Sequence, residues 1–147
     1  MLDNLILRSA ETRDLPHIIG LFVADELGAT REVLTDPLSQ SYHVAFQEIA
    51  EDKNQTLLVV EYNEKIIGAC HLTVMPSLSF QGSRRLNVEN VHVDKQFQGQ
   101  GVGRWMIQKV IAIGQEKGCK IIQLTKNKKR SRSQAFYEKL GFMASHE

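Results

Sequence analysis

Between a run suited to a strand (86–94) and one suited to a helix (101–117), the chain reads Gln98-Gly99-Gln100-Gly101-Val102-Gly103-Arg104. A helix start leaves several backbone N–H groups without intrahelical partners, and the helix dipole adds positive potential there. Glycines let the backbone turn with positive φ and let a ligand approach closely. Together these make a corner able to hold a phosphate or diphosphate. Arg104 puts a cation in the first helical turn, where the dipole disfavours one; a bound anion would reconcile the two. The competing reading is a tight turn packed on a sheet. Two familiar phosphate loops do not fit. The dinucleotide fingerprint needs G-x-G-x-x-G after a first strand and an acid about twenty residues on. Here the pattern is GxGxG, it follows the fourth strand, and no acid stands near position 123. The P-loop pattern GxxxxGK[ST] is absent.

Other reactive residues are dispersed. Cys70 and Cys119 lie far apart in apolar runs, which reads as two buried thiols and neither a disulfide framework nor a metal site. No metal-ligand spacing occurs, so no metal is expected. Lys126, Lys128, Lys129, Arg130 and Arg132 form a basic cluster. It reads as a solvated loop or as charge for a ligand's phosphates. Nucleic-acid binding ranks below both, because the cluster has no interleaved aromatics and the 147-residue chain carries a net charge of only +1.

The elements that must position the corner follow from periodicity. Strands are predicted over 5–9, 56–62, 65–75, 86–94 and 119–125, and a short last one opens at Phe142. Helices are predicted over 12–27, 38–50, 101–117 and 133–140, with Thr12 as the first cap and Gly28, Gly118 and Gly141 as stops. Asn63-Glu64 makes the first hairpin turn. In LNVENVHVD the apolar phase slips between Val88 and Val91, the mark of a β-bulge near Glu89 and Asn90. The order is β-α-α-β-β-β-α-β-α-β, an α/β (α+β) mixed sheet with helices on its faces and a truncated final strand. At this length, with 42% hydrophobic and 24% charged residues, residues 1–147 read as a single domain. No run approaches a membrane span, and the N-terminus lacks the basic start and apolar core of a signal peptide. The expected location is cytoplasmic. Asn54-Gln55-Thr56 matches a glycosylation sequon by chance on that reading.

Gln98-x-x-Gly101-x-Gly103 at a strand-to-helix corner resembles the acyl-CoA loop, [QR]xxGx[GA], of the GCN5-related N-acetyltransferases (GNAT). Ala135-Phe136-Tyr137-Glu138-Lys139-Leu140-Gly141-Phe142 is similar to that family's second signature. The element order agrees over residues 5–146. The resemblance implies an acyltransferase that moves an acetyl group from acetyl-CoA directly to an amine.

On this resemblance the main-chain amides of Gln98, Gly99, Gln100, Gly101, Val102, Gly103 and Arg104 hold the pyrophosphate. A side chain at Gly101 would then occupy phosphate space. The backbone of Val91, His92 and Val93 pairs with the pantetheine arm as an added strand would. The bulge splays this strand from its neighbour, and an N–H there stabilises the oxyanion. An alkyl amine must lose a proton before it attacks, and the departing thiolate benefits from one. Tyr137 stands at the family's general-acid position. Glu89 is the candidate base, directly or through a water; the competing readings are a core aromatic for Tyr137 and a surface strand residue for Glu89. His92 falls on the face opposite Val91 and Val93. His92 and His71 read as satisfied histidines, and His146 as a polar contact folding back. Asn127 is placed against the pantetheine arm, although the position seven residues before Tyr137, where an Asn is commoner, is Arg130. Ser131 or Ser133 can contribute instead, Ser133 also as a helix cap, and Phe136 packs beside the cofactor.

Family chains usually run on with a further strand, whereas this one stops at Ser145-His146-Glu147. A clipped chain, a natural truncation or a strand lent by a second copy in a homodimer would each explain that. Helices 12–27 and 38–50 and the loop 76–85 are expected to select the acceptor. They carry no acidic cluster for a polyamine or aminoglycoside, so a small-molecule amine is favoured. The alternatives are a protein or peptide acetyltransferase and a non-catalytic CoA-binding sensor.

Overall fold

A computed structural model describes residues 1–124 and 143–145. Its strands are β1 (Leu5–Ser9), β2 (Gln55–Tyr62), β3 (Lys65–Met75), β4 (Arg84–Val93), β5 (Cys119–Leu124) and β6 (Met143–Ser145). Among the described residues the helices longer than one turn are α1 (Leu15–Ala24), α2 (Gln40–Glu51) and α3 (Val102–Glu116). The sheet order is β1-β2-β3-β4-β5-β6. The first four strands are antiparallel, and β4–β5 and β5–β6 are parallel. The fold is thus the mixed α/β sheet that the sequence predicts. The predicted helix 133–140, its Gly141 stop and the strand start at Phe142 lie outside the described residues.

Alternation along the strands builds two cores. Leu58, Val60, Cys70, Leu72, Leu86 and Val88 face α3, where Val102, Met106, Ile107 and Val110 meet them. Val59, Ile66 and Ala69 face the other way, toward Leu15, Ile18, Ile19 and Leu21 of α1. Burial of each such aliphatic side chain contributes roughly 1.5–3 kcal/mol. The helix α2 buries no residue fully; Tyr42 and Phe46 are its half-buried contacts, and Ala45 is exposed.

The predicted first helix is shorter than its apolar pattern. Residues Thr12–Asp14 form a 3-10 turn, and α1 ends at Ala24, with Asp25 extended. Gly28 sits so close to the Phe22 carbonyl that a Cβ there would overlap its oxygen. The start is capped by Glu11 and not by Thr12. The Glu11 N–H donates to Asp14 Oδ2 at 2.8 Å in a reciprocal capping box. Asp14 is buried and accepts from Arg8 Nη1 at 2.7 Å and Nη2 at 3.0 Å. The same guanidinium reaches Glu61 Oε1 at 3.0 Å, tying β1, β2 and the start of α1 together.

These Arg8 hydrogen bonds hold the Asp14 carboxyl below the ordinary aspartate range, against the opposing effect of burial. A depressed carboxyl pKa stabilises the fold above the unfolded value, about 4, and that stability is lost as pH falls through the folded value. Asp14→Asn should therefore cost about 2 kcal/mol in urea unfolding at pH 7 and less at pH 3. An equal cost at both pH values would show that the charge is not what Arg8 recognises.

Candidate active site

The predicted bulge is present. Ala69 pairs with His92 and His71 with Glu89, so one residue of β3 faces two of β4. Asn90 takes up the extra length with φ 53°, a left-handed conformation that asparagine tolerates better than most residues. The slip keeps Val88, Val91 and Val93 on the α3 side, where they pack in that core. His92 turns to the α1 side, with its ring centroid 4.9 Å from that of Phe22.

Among the described residues β4 pairs with β5 from Arg84–Cys119 to Val88–Leu124, and Glu89, His92 and Val93 pair with β3. The Asp94 N–H donates to the Ile67 carbonyl at 2.8 Å, so the alternation of an antiparallel ladder points the main chain of Val93 away from β3. His92, paired with Ala69, directs its main chain toward β3. Of the three expected main-chain partners, His92 thus offers the cavity its ring. The Val93 carbonyl accepts from Gln98 Nε2 at 3.0 Å, which fastens the glycine corner to the end of β4.

The corner begins with a 3-10 turn, Lys95–Phe97, capped by Asp94, whose Oδ1 accepts from the Gln96 N–H at 2.9 Å. Gln100 Nε2 donates to the Gln96 carbonyl at 3.1 Å. Gly99 and Gly101 have φ of 78° and 88°. Gly101 is the N-cap of α3, and among the described residues no side chain caps that helix start. Val102 is buried in the core, so only its main chain can serve a ligand.

A cavity of about 1270 Å³ lies between α1, the end of β4 and the first turn of α3. It exceeds the roughly 300–1,000 Å³ of ordinary small-molecule pockets, which suits a ligand of several linked groups. Val91, His92 and Val93 line one wall, Gln98, Gly103 and Arg104 a second, and Pro16, His17, Gly20, Leu21 and Ala24 of α1 a third. Gly99, Gln100, Gly101 and Val102 do not line it. A Cβ on Gly101 would point at Leu2, 3.6 Å away, whereas Gly103 faces the cavity. The side-chain space expected at Gly101 therefore belongs to Gly103, and the glycine at 101 answers to its φ.

Sequence reasoning missed Lys65 and Lys95, two further cations at this cavity, and also Asp25 and Glu26 at the end of α1. Lys65 reaches Asp94 Oδ2 at 3.9 Å. Position in the sequence gave no signal for Lys65; the antiparallel pairing of β3 with β4 brings it beside the corner.

Glu89 is half-buried on the α1 side of the sheet and is not among the cavity-lining residues. Its Oε1 accepts from Asn87 Nδ2 at 3.3 Å and lies 3.9 Å from His71 Nδ1. His71 Nε2 meets Gln55 Oε1 at 2.8 Å, and Gln123 Nε2 donates to Asn87 Oδ1 at 3.5 Å. Burial pushes the His71 imidazole below the ordinary histidine range, with the Glu89 charge opposing. The two buried thiols behave as read: burial raises Cys119 and takes Cys70 to about 12. Tyr137, Asn127, Ser131, Ser133, Phe136, His146 and the basic cluster 126–132 lie outside the described residues.

The sequence matches the family described as "Acetyltransferase (GNAT) family" over residues 14–142. A transcriptional regulator from Bacillus halodurans C-125 has a similar structure, with TM-score 0.90, 40% identity, and coverage of 97% of this chain and 95% of that one. A putative acetyltransferase from Agrobacterium tumefaciens superposes with TM-score 0.80 at 25% identity, over 97% and 95% of the two chains. A glucosamine 6-phosphate N-acetyltransferase of Trypanosoma brucei brucei is 36% identical over 83 residues, 56% of this chain. The match spans about half of that relative, 54% of its length.

The two glycines of the corner should respond oppositely to alanine. Gly101→Ala places a Cβ at φ 88° and should cost about 1–2 kcal/mol. Gly103→Ala, in the first turn of α3, should be neutral or stabilising by up to about 1 kcal/mol. Urea unfolding of both variants checks this; equal effects would refute the conformational difference.

Proposed function

From the premise that the chain belongs to the GNAT acetyltransferase family, we propose that it transfers the acetyl group of acetyl-CoA directly to the amine of a small molecule. The observation that carries this reading is one large cavity at which the bulged end of β4 meets the first turn of α3, a helix start that no side chain caps among the described residues. A diphosphate suits the amides at 98–104, with Arg104, Lys65 and Lys95 as counter-charges. An amide-bearing arm suits the edge of β4 from Val91 to Val93. Its thioester end then lies toward the bulge, where a main-chain N–H can meet the developing oxyanion.

Glu89 accepts the amine proton, directly or through one water, and the nitrogen lone pair attacks the thioester carbon. Collapse of the tetrahedral adduct breaks the C–S bond, and Tyr137 donates a proton to the sulfur. Tyr137 has this role from its place in the signature 135–142, and Asn127, Ser133 and Phe136 are assigned to the cofactor on the same ground. The small-molecule acceptor is favoured by the name of the trypanosomal relative, which acts on an amino-sugar phosphate. Among the described residues no helix is long and apolar enough to cross a membrane.

Thiol release from acetyl-CoA across a panel of amines and amino sugars tests the proposal. Tyr137→Phe should lower kcat by about 100-fold while CoA affinity, measured by calorimetry, changes little. Gly103→Val should do the reverse at the first step and weaken CoA binding at least about tenfold by projecting into the cavity. Tight CoA binding with no turnover on any amine would favour a sensor; unaltered affinity in Gly103→Val would remove the cavity from the cofactor site.

A further inference from the structure

Beside the cavity, a row of polar side chains crosses the α1-facing side of four strands: Gln55 on β2, His71 on β3, Asn87 and Glu89 on β4, and Gln123 on β5. Position 71 is directly opposite Glu89 in the ladder. Its ring is mostly buried, with 13% of the side chain exposed, and both nitrogens face a partner. Gln55 Oε1 can only accept, so its 2.8 Å contact places the ring proton on Nε2. The Nδ1 lone pair is then left facing Glu89 Oε1 at 3.9 Å. That is a base directed at a carboxylate, an arrangement with no attractive role while Glu89 is ionised and one good hydrogen bond once it is protonated.

We propose that His71 is a positioning residue that draws off the proton Glu89 takes from the acceptor amine. The inference rests on Glu89 as the base. In balance, the amine N–H bond breaks and the proton moves to Glu89. The carboxyl then turns the remaining ångström and passes the proton to His71 Nδ1. The imidazolium so formed keeps its Nε2–H on Gln55 and faces the restored carboxylate, and it returns the proton to solvent between turnovers. The depressed basicity that burial gives His71 favours that release. Asn87 Nδ2 holds the carboxylate in register between transfers.

Glu89 is the charged group whose field acts on His71. The elements covering this face also carry His17 on α1 and His43, Glu48 and Glu51 on α2, while Arg8, Asp14 and Glu61 are engaged with one another. Among the described residues, Glu89 is the only one of these in ion-pair range of His71.

The test is the pH dependence of kcat/KM in wild type, His71→Gln, Gln55→Leu and Glu89→Gln. His71→Gln should lower kcat about tenfold at pH 7.5 with both KM values within about twofold, and its acid limb should fall less steeply than wild type by one power of proton concentration. Gln55→Leu should lose about threefold in kcat and keep the steep limb. A His71→Gln profile that is only a scaled copy of wild type overturns the inference. Nitrogen NMR supplies a readout independent of catalysis: the His71 ring should carry its proton on Nε2, and its pKa should drop in Glu89→Gln, where the supporting charge is gone. An unmoved His71 titration also overturns it. The base reading fails separately, if Glu89→Gln retains wild-type turnover; loss of about 100-fold there with an unaltered His71→Gln profile sinks the His71 role alone.

Discussion

A single extra residue in β4 governs the site. In a regular strand Val91 would face α1 and His92 would face α3. With Asn90 in the left-handed region, Val88, Val91 and Val93 all remain against α3, and His92 turns toward α1. The burial of three valines on one face is the driving force, because a register without the bulge would send Val91 and Val93 into the opposite layer. A bulge of this kind bends its strand, and among the described residues His92 and Val93, beyond it, pair with β3. The cavity lies at this end of β4, between α1 and the first turn of α3.

The helix start gains its position from the same strand. Because β4 and β5 are parallel, α3 must cross between them, and its N-terminus falls at the C-terminal end of β4. Ligand sites of open sheets gather at such ends, where connections diverge. The antiparallel pairing of β3 with β4 brings the start of β3 to the same edge. Lys65 and Arg104, 39 positions apart, thus share one cavity. The Gln98 side chain completes the corner by bonding the Val93 carbonyl, so strand and loop are held as one unit.

Much of this was legible beforehand because it is local. The strand bounds 5–9 and 65–75 and the Asn63-Glu64 turn follow from period-two alternation and turn chemistry. The bulge followed from a phase slip in nine residues. What escaped depends on distant partners. The capping box at Glu11 and Asp14 is locked by Arg8 and Glu61, so Thr12 lost a role that proximity alone assigned to it. Gly101 and Gly103 look equivalent in the motif, yet only the conformation of the corner shows that one relieves φ and the other clears space. The second bulge, on β3 at Ile67 opposite Val60–Glu61 of β2, left no phase slip because Ile66 and Ile67 are both apolar and serve opposite layers.

The two faces of the sheet divide the chemistry as well as the packing. The α3 face is closed by aliphatic side chains and can orient a ligand only through the main chain at its edge. The α1 face carries the titratable groups, His71, Glu89 and His92, in a band that ends at the bulge. A proton taken up there has neutral amides on both flanks, Gln55 on one side and Asn87 with Gln123 on the other. Such amides fix geometry without competing for the proton. On the proposed function, acid–base steps on one face and ligand anchoring at the opposite edge meet where β4 changes phase, so the bulge, more than any single side chain, would determine where the chemistry occurs.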